Sequence, residues 1–355
     1  MRPSWAVLLV VLLLAACAAL PAAADPPPPA SADPNSFTEE ITVTLSTVTV
    51  RVLDDLGRPV TGLRPEDFRV RVGRREVPVT AVDWFSSERQ RAAPGPLPLP
   101  PADAAPATPP SPGQLIVFFV QADLNPTRIS GQLRLRPYTR DLLDRLPADD
   151  RVAVVSYDAH LKLWQDFTRD RAAVYAALDR AMLWTEEGEP KAVAAGEESL
   201  VAGFDRGAAR RAASPEKALE VTARALAGLP GEKSIVYLGW GLGRYTADGV
   251  QMTPAFAPAV RALTAAHAAV FVLDVTSADY HSLEVGLQGV AAATGGTYAK
   301  TNVLPGLATD ALTHTLSGYY ILTLDQSGIE GLKGAVRIDL RTEKGIVLAR
   351  PMTVR

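Results

Sequence analysis

Leu115-Ile116-Val117-Phe118-Phe119-Val120 is an unbroken apolar run, and three runs of the same kind follow it: Arg151-Val152-Ala153-Val154-Val155-Ser156-Tyr157, Ser234-Ile235-Val236-Tyr237-Leu238-Gly239-Trp240 and Ala269-Val270-Phe271-Val272-Leu273-Asp274-Val275. Strands that are apolar on both faces suit a parallel sheet covered on both sides, whereas a strand with one wet face alternates. Between and after the runs, the segments Leu133 to Leu146, Arg171 to Leu183, Glu216 to Leu229, Pro254 to Ala268 and Ser282 to Ala293 carry apolar residues at helical spacing. Ser214-Pro215-Glu216 supplies a capping hydroxyl with proline in the first turn. These patterns predict a doubly wound, mostly parallel α/β layer over residues 115–317. The polar, weakly patterned segment from Trp184 to Ala213 reads as a long loop.

Outside this layer the pattern changes to alternation. ITVTLSTVTVRVLDD (41–55), DFRVRV (67–72) and VPVTAVDWF (77–85) are rich in β-branched residues, with turns at Asp55-Leu56-Gly57-Arg58 and Gly73-Arg74-Arg75. YYILTLD (319–325), AVRIDLRTE (335–343) and IVLARPMTV (346–354) repeat the style at the other end. Neither group has a helix of its own to pack on, so residues 37–90 and 318–355 are expected to pair as a small β-sandwich made from both chain ends. Pro/Ala-rich stretches at 18–36 and 91–114 cannot bury a core; they read as a stalk and a surface insertion.

The first residues form a third kind of segment. Arg2 precedes an apolar run from Trp5 to Ala16 that is too short to span a bilayer, which is how a secretory signal reads. It closes on Leu14-Ala15-Ala16-Cys17, and Cys17 is the chain's single cysteine. Cleavage before Cys17 would leave a residue available for lipidation, whereas cleavage after Ala22-Ala23-Ala24 (a signal of 1–24) would release a soluble protein. Both readings export the chain, and the lipid anchor is the one preferred. No disulfide can form within the body, so its stability must come from packing, for which a chain that is 47% hydrophobic has ample material.

Charge and histidine content exclude other classes. The formal net charge is -3 with Lys and Arg scattered, so no nucleic-acid partner is expected. His160, His267, His281 and His314 have no metal-ligand spacing, and zinc is not expected.

Several stretches resemble a known family. Leu56-Gly57-Arg58-Pro59-Val60-Thr61-Gly62-Leu63 followed by Glu66-Asp67-Phe68, then Leu146 to Val154, Ala293-Thr294-Gly295-Gly296-Thr297-Tyr298 and Gly318-Tyr319-Tyr320-Ile321 are similar to exported bacterial proteins called VWFA-related, built on the von Willebrand factor type A fold. The resemblance covers the mature length. It implies protein binding at the cell envelope, with a metal-ion-dependent adhesion site in which Asp-x-Ser-x-Ser at the end of the first strand, a Thr and a second Asp surround magnesium, a hard ion wanting oxygen ligands.

This chain departs from that pattern. Its first strand runs into Gln121-Ala122-Asp123-Leu124-Asn125-Pro126-Thr127, so Asp123, Asn125 and Thr127 reproduce the spacing only after a slip of two residues. Trp240 stands at or beside the second Asp, and an indole cannot ligate a hard cation. Thr185 and Ser199 are the hydroxyls available between Trp184 and Ser214. The expectation is a degenerate site without a cofactor, magnesium on Asp123, Asn125 and Thr127 being the alternative.

The remaining signals are weaker. Gly239-x-Gly241-x-Gly243 has the wrong spacing for a dinucleotide loop. Ser156, Asp158 and His160 suggest a hydrolytic trio, but neighbouring strand positions point to opposite faces and no nucleophile elbow is present. Thr168 reads as a helix cap. The expected protein is a non-enzymatic, exported and membrane-tethered binding module with a recognition rim at the loop from Asp123 to Ser130, including Asn125, and at Trp240, Tyr245 and Asp274. An envelope hydrolase using Ser156 or Asp274, and a structural scaffold, are the rival classes.

Overall fold

The computed structural model describes residues 45–86, 113–183 and 197–354, apart from 248, 279, 326 and 342–344. Cys17, the signal, the stalk, Thr185 and nearly all of the proline-rich insertion lie outside the described residues.

The chain begins with β1 (Leu45–Leu53), β2 (Phe68–Val72), β3 (Arg75–Val77) and β4 (Val79–Ser86). The α/β layer follows with β5 (Leu115–Gln121), α1 (Pro126–Arg145), β6 (Arg151–Tyr157), β7 (Leu161–Thr168), α2 (Arg171–Met182), α3 (Leu200–Gly203), α4 (Arg206–Arg210) and α5 (Pro215–Leu226). It continues with β8 (Lys233–Gly239), β9 (Arg244–Thr246), β10 (Gly249–Gln251), α6 (Phe256–Ala265), β11 (Ala268–Asp274), α7 (Glu284–Thr294), β12 (Tyr298–Lys300) and α8 (Pro305–Leu316). The chain ends with β13 (Gly318–Asp325), β14 (Gly334–Leu340), β15 (Ile346–Ala349) and β16 (Met352–Val354).

Six strands form the central sheet in the order β12-β11-β8-β5-β6-β7. All its pairs are parallel except β6 with β7. Every residue of β5, β6, β8 and β11 is buried, because helices cover both faces. Side chains of α5, α6 and α7 pack with Val117, Phe119 and Tyr237 on one face, and those of α1, α2 and α8 pack with Phe118, Val236 and Phe271 on the other. The layer is doubly wound, as the apolar runs predict. In register, Gln121 stands beside Tyr157, Val120 beside Leu238, and Gly239 beside Asp274. The ends of β5, β8 and β11 therefore meet along one edge, where ligands bind in open α/β sheets.

The two chain ends form the sandwich, as sheets β15-β1-β13-β4 and β16-β14-β2-β3 around Val50, Phe68, Tyr320 and Leu322. Two of the expected strands are each divided by a proline. Val77 pairs with Val70 in one sheet, and after Pro78, Val79 pairs with Leu324 in the other. In the same way β15 pairs with β1, and beyond Pro351 β16 pairs with β14. Proline has no N–H to give a ladder, so the chain changes sheets where one is missing. Arg51 of β1, 4% exposed, joins sandwich to layer through Gln114 Oε1 at 3.1 Å and Ser234 Oγ at 3.3 Å.

Other boundaries need correction. The first helix begins at Pro126 rather than Leu133, since Asn125 caps it and proline fits its first turn. The described part of the expected loop from Trp184 to Ala213 holds α3 and α4, capped by Ser199 and Asp205. Helices this short show no period in sequence. Strand β7 and helix α8 are additions that the sequence reading did not place.

Candidate functional site

Strand β5 ends in Gln121, whose side chain is fully buried. Gln121 Oε1 accepts from the backbone N–H of Trp240 at 2.9 Å and of Gly241 at 3.2 Å, and Gln121 Nε2 donates to the carbonyl of Gly241 at 2.9 Å. The loop leaving β8 is thus tied to the end of β5 by an uncharged amide. From the other side Glu216 Oε1, on the first turn of α5, accepts from Gly243 N at 2.6 Å. The glycines of 239–243 serve packing rather than a phosphate: a Cβ on Gly241 would meet Leu283 Cβ at 2.6 Å.

Asp123, Asn125 and Thr127 spend their oxygens locally. Asn125 Oδ1 accepts from Thr127 N at 3.0 Å and from Thr127 Oγ1 at 2.6 Å, which is the N-cap of α1. Asp123 Oδ1 accepts from Asn125 N at 3.0 Å, and Asp123 Oδ2 pairs with Arg128. The Arg128 guanidinium lies over the Trp240 ring, 3.4 Å from its centroid, within the range of a strong cation–π contact. A guanidinium therefore faces the acid and the indole. Arg128 falls within the loop from Asp123 to Ser130 that is expected on the rim, and its pairing with Asp123 and Trp240 is what the structure adds.

The other rim candidates are dispersed along the same edge. Tyr245 lies on the β9-β10 hairpin and is 63% exposed. Asp274, at the end of β11, is fully buried and does not present its carboxylate to solvent. Asp274 Oδ1 accepts from Thr276 N at 2.9 Å and Thr276 Oγ1 at 2.8 Å. Asp274 Oδ2 meets His281 Nε2 at 2.6 Å and accepts from the Tyr298 phenol at 2.7 Å. The same phenol lies 3.4 Å from Glu284 Oε2, which pairs with Lys300 Nζ at 2.8 Å. Burial, and then its hydrogen bond to the Asp274 carboxylate, push the Tyr298 phenol well above its ordinary range, so it stays a donor. Of the four histidines, His281 is the one that the described structure places with two carboxylates, those of Asp274 and Glu284.

Ser156, Asp158 and His160 have other tasks. Ser156 Oγ accepts from Trp164 Nε1 at 2.7 Å, across from β7. Asp158 accepts from Lys162 Nζ at 2.5 Å and from Ala159 N at 2.5 Å. Thr168 Oγ1 accepts from Asp170 N at 3.1 Å, and Asp170 rather than Thr168 caps α2. Ser199 Oγ donates to Asp166 Oδ2 at 2.6 Å on the far side of the sheet edge.

Fold and rim together define a class, a von Willebrand factor type A-like α/β module with an added sandwich. No family model and no curated protein matches the chain. Similar solved structures include a von Willebrand factor type A protein from Catenulispora acidiphila, at 12% identity and a TM-score of 0.40, covering 88% of this chain and 72% of that one. BatB from Bacteroides thetaiotaomicron is similar at 13% identity and a TM-score of 0.39, over 58% of this chain and 98% of its own. An aerotolerance-related membrane protein from Bacteroides fragilis is similar at 14% identity and a TM-score of 0.39, over 57% and 98%. These are likenesses of low identity, and the fold class stands on the sheet order and helices of this chain.

Proposed function

We propose that the chain is an exported, membrane-tethered binding module of the cell envelope that recognises another protein through the C-terminal edge of its sheet. The carrying observation is where its large exposed apolar side chains fall. Leu124 after β5 is 70% exposed, Tyr245 after β8 63%, Tyr280 after β11 70% and Val303 after β12 72%. Each loop leaving the C-terminal end of these four parallel strands offers at least one such residue. Large apolar groups gathered on one edge around a stacked Arg128 and Trp240 are the composition of an interface anchor.

In this reading the adhesion site is degenerate. Gln121 supplies no charge, and Arg128 holds the acid that a magnesium ion would need. Acylation of Cys17 would supply the tether, consistent with the absence, among the described residues, of any helix long and apolar enough to cross a membrane.

The test is site-specific photo-crosslinking in the native envelope from Leu124 or Tyr245, with Ile346 of the sandwich, also exposed, as the control. A discrete adduct from the rim, lost in Trp240→Ala and not formed from Ile346, is expected. Equal labelling from both faces, or none from the rim, refutes the reading.

A further inference from the structure

The carboxylates of Asp274 and Glu284 are held together with His281 behind the edge. Asp274 is fully buried and Glu284, which opens α7, is 6% exposed. One oxygen of each and a ring nitrogen of His281 all lie within 4.8 Å of one another. Lys300 is the cation paired with Glu284.

The hydrogen bonds also orient the cluster. Asp274 Oδ1 is held by Thr276, and Glu284 Oε1 lies 3.4 Å from Gln288 Nε2. In both acids the other oxygen, Asp274 Oδ2 or Glu284 Oε2, faces the Tyr298 phenol. Held outer oxygens and converging inner ones are how carboxylates are prepared as metal ligands.

We propose that Asp274 Oδ2, His281 Nε2 and Glu284 Oε2 form a binding site for a divalent transition metal, zinc above all, with a water as the fourth ligand and the Tyr298 phenol orienting the carboxylates. One imidazole with two carboxylates is a mixed nitrogen and oxygen donor set that suits zinc and is foreign to an all-oxygen magnesium site. Bonds of about 2.0–2.2 Å put the ligand atoms of a tetrahedral ion roughly 3.3–3.6 Å apart. The 2.6 Å contact of His281 with Asp274 therefore opens by about 1 Å as the ion enters, the imidazole ligating through an unprotonated Nε2 with its proton on Nδ1. The His281 and Lys300 side chains are 14% and 34% exposed and mark the way in. This site stands two strands from Asp123 in the sheet order and is independent of the recognition reading.

The test uses the full chain stripped with a chelator and then dialysed against zinc, with metal content, calorimetric titration and the visible bands of a cobalt-substituted sample as readouts. One saturable zinc per chain is expected, with affinity lowered at least about a hundredfold in His281→Ala and in Glu284→Gln, more than an outer-shell partner's loss. Asp123→Asn should bind as the parent does. Lys300→Met should bind about tenfold more tightly or better, because it removes a positive charge facing the ion. No saturable uptake, uptake unchanged in His281→Ala, or uptake lost in Asp123→Asn overturns the proposal. If His281→Ala fails to fold, Lys300→Met decides: tighter binding supports the site and unchanged binding refutes it.

Discussion

Replacing Gln121 with leucine tests whether the rim is held by one uncharged side chain. Leucine has nearly the same volume, so little cavity is created, but three hydrogen bonds disappear: those from Trp240 N and Gly241 N to Gln121 Oε1, and that from Gln121 Nε2 to the Gly241 carbonyl. A buried backbone group left without a partner costs about 1–3 kcal/mol. Gly241 is buried and loses both its donor and acceptor partners, while Trp240 is half-buried and its N–H recovers some water. The sum is about 3–6 kcal/mol. Burying an extra apolar side chain offsets about 1 kcal/mol of it. The expected loss is therefore about 2–5 kcal/mol, large against the roughly 5–15 kcal/mol that holds a native domain. Urea unfolding of parent and Gln121→Leu gives the difference directly if the slopes agree. A loss below about 1 kcal/mol with equal slopes would mean that water or relaxed backbone satisfies these amides, and the account of Gln121 as the tie between β5 and the β8 loop would be wrong.

Two further predictions rest on single contacts. Burial raises the Asp150 carboxyl from 3.8 to about 7, against its hydrogen bond from Gln114 N. The folded state therefore holds a proton that the unfolded state releases, so this contribution is complete below about 3.8 and is lost as pH rises through about 7. Its size is on the order of 4 kcal/mol. Between pH 4 and 8 the parent should lose stability relative to Asp150→Asn, and parallel pH profiles of the two would refute the assignment. Gly131 lies where α1 crosses the chain after β11, and a Cβ there would fall 1.8 Å from the Val275 carbonyl oxygen. Gly131→Ala should cost about 3 kcal/mol by overpacking, although helix propensity alone favours alanine by about 1 kcal/mol; a melting point unchanged or raised would refute the close approach.

The layer was legible because burial on both faces leaves a mark in composition. Phe118 and Phe119 are adjacent and both fully buried, which only a strand covered on two sides allows. Strand β7 was not legible: Leu161-Lys162-Leu163-Trp164-Gln165-Asp166 mixes polar and apolar residues at an antiparallel edge, where Gln165 and Asp166 are buried through their own hydrogen bonds. Pro78 and Pro351 were visible as letters. Their effect depends on a second sheet being present to receive the chain, which periodicity within one segment does not report.

The site divides along the same line. Local chemistry was readable: Asp123, Asn125 and Thr127 are close in sequence, and their oxygens are used within the turn and first residues of α1. What decides the character of the rim is a contact between β5 and β8, where Gln121 meets Trp240 and Gly241, some 120 residues away. The surroundings of the Asp274 cluster also depend on pairing. Asp274 stands opposite Lys300 and Val272 opposite Tyr298 in the β11-β12 ladder, while His281 and Glu284 come from the loop and helix between those strands. Asp274, His281 and Glu284 lie within eleven residues, but Tyr298 and Lys300 join them only when a parallel strand returns beside the first. Histidine spacing alone argues against zinc, and the zinc proposal rests on the two carboxylates that the fold brings to His281.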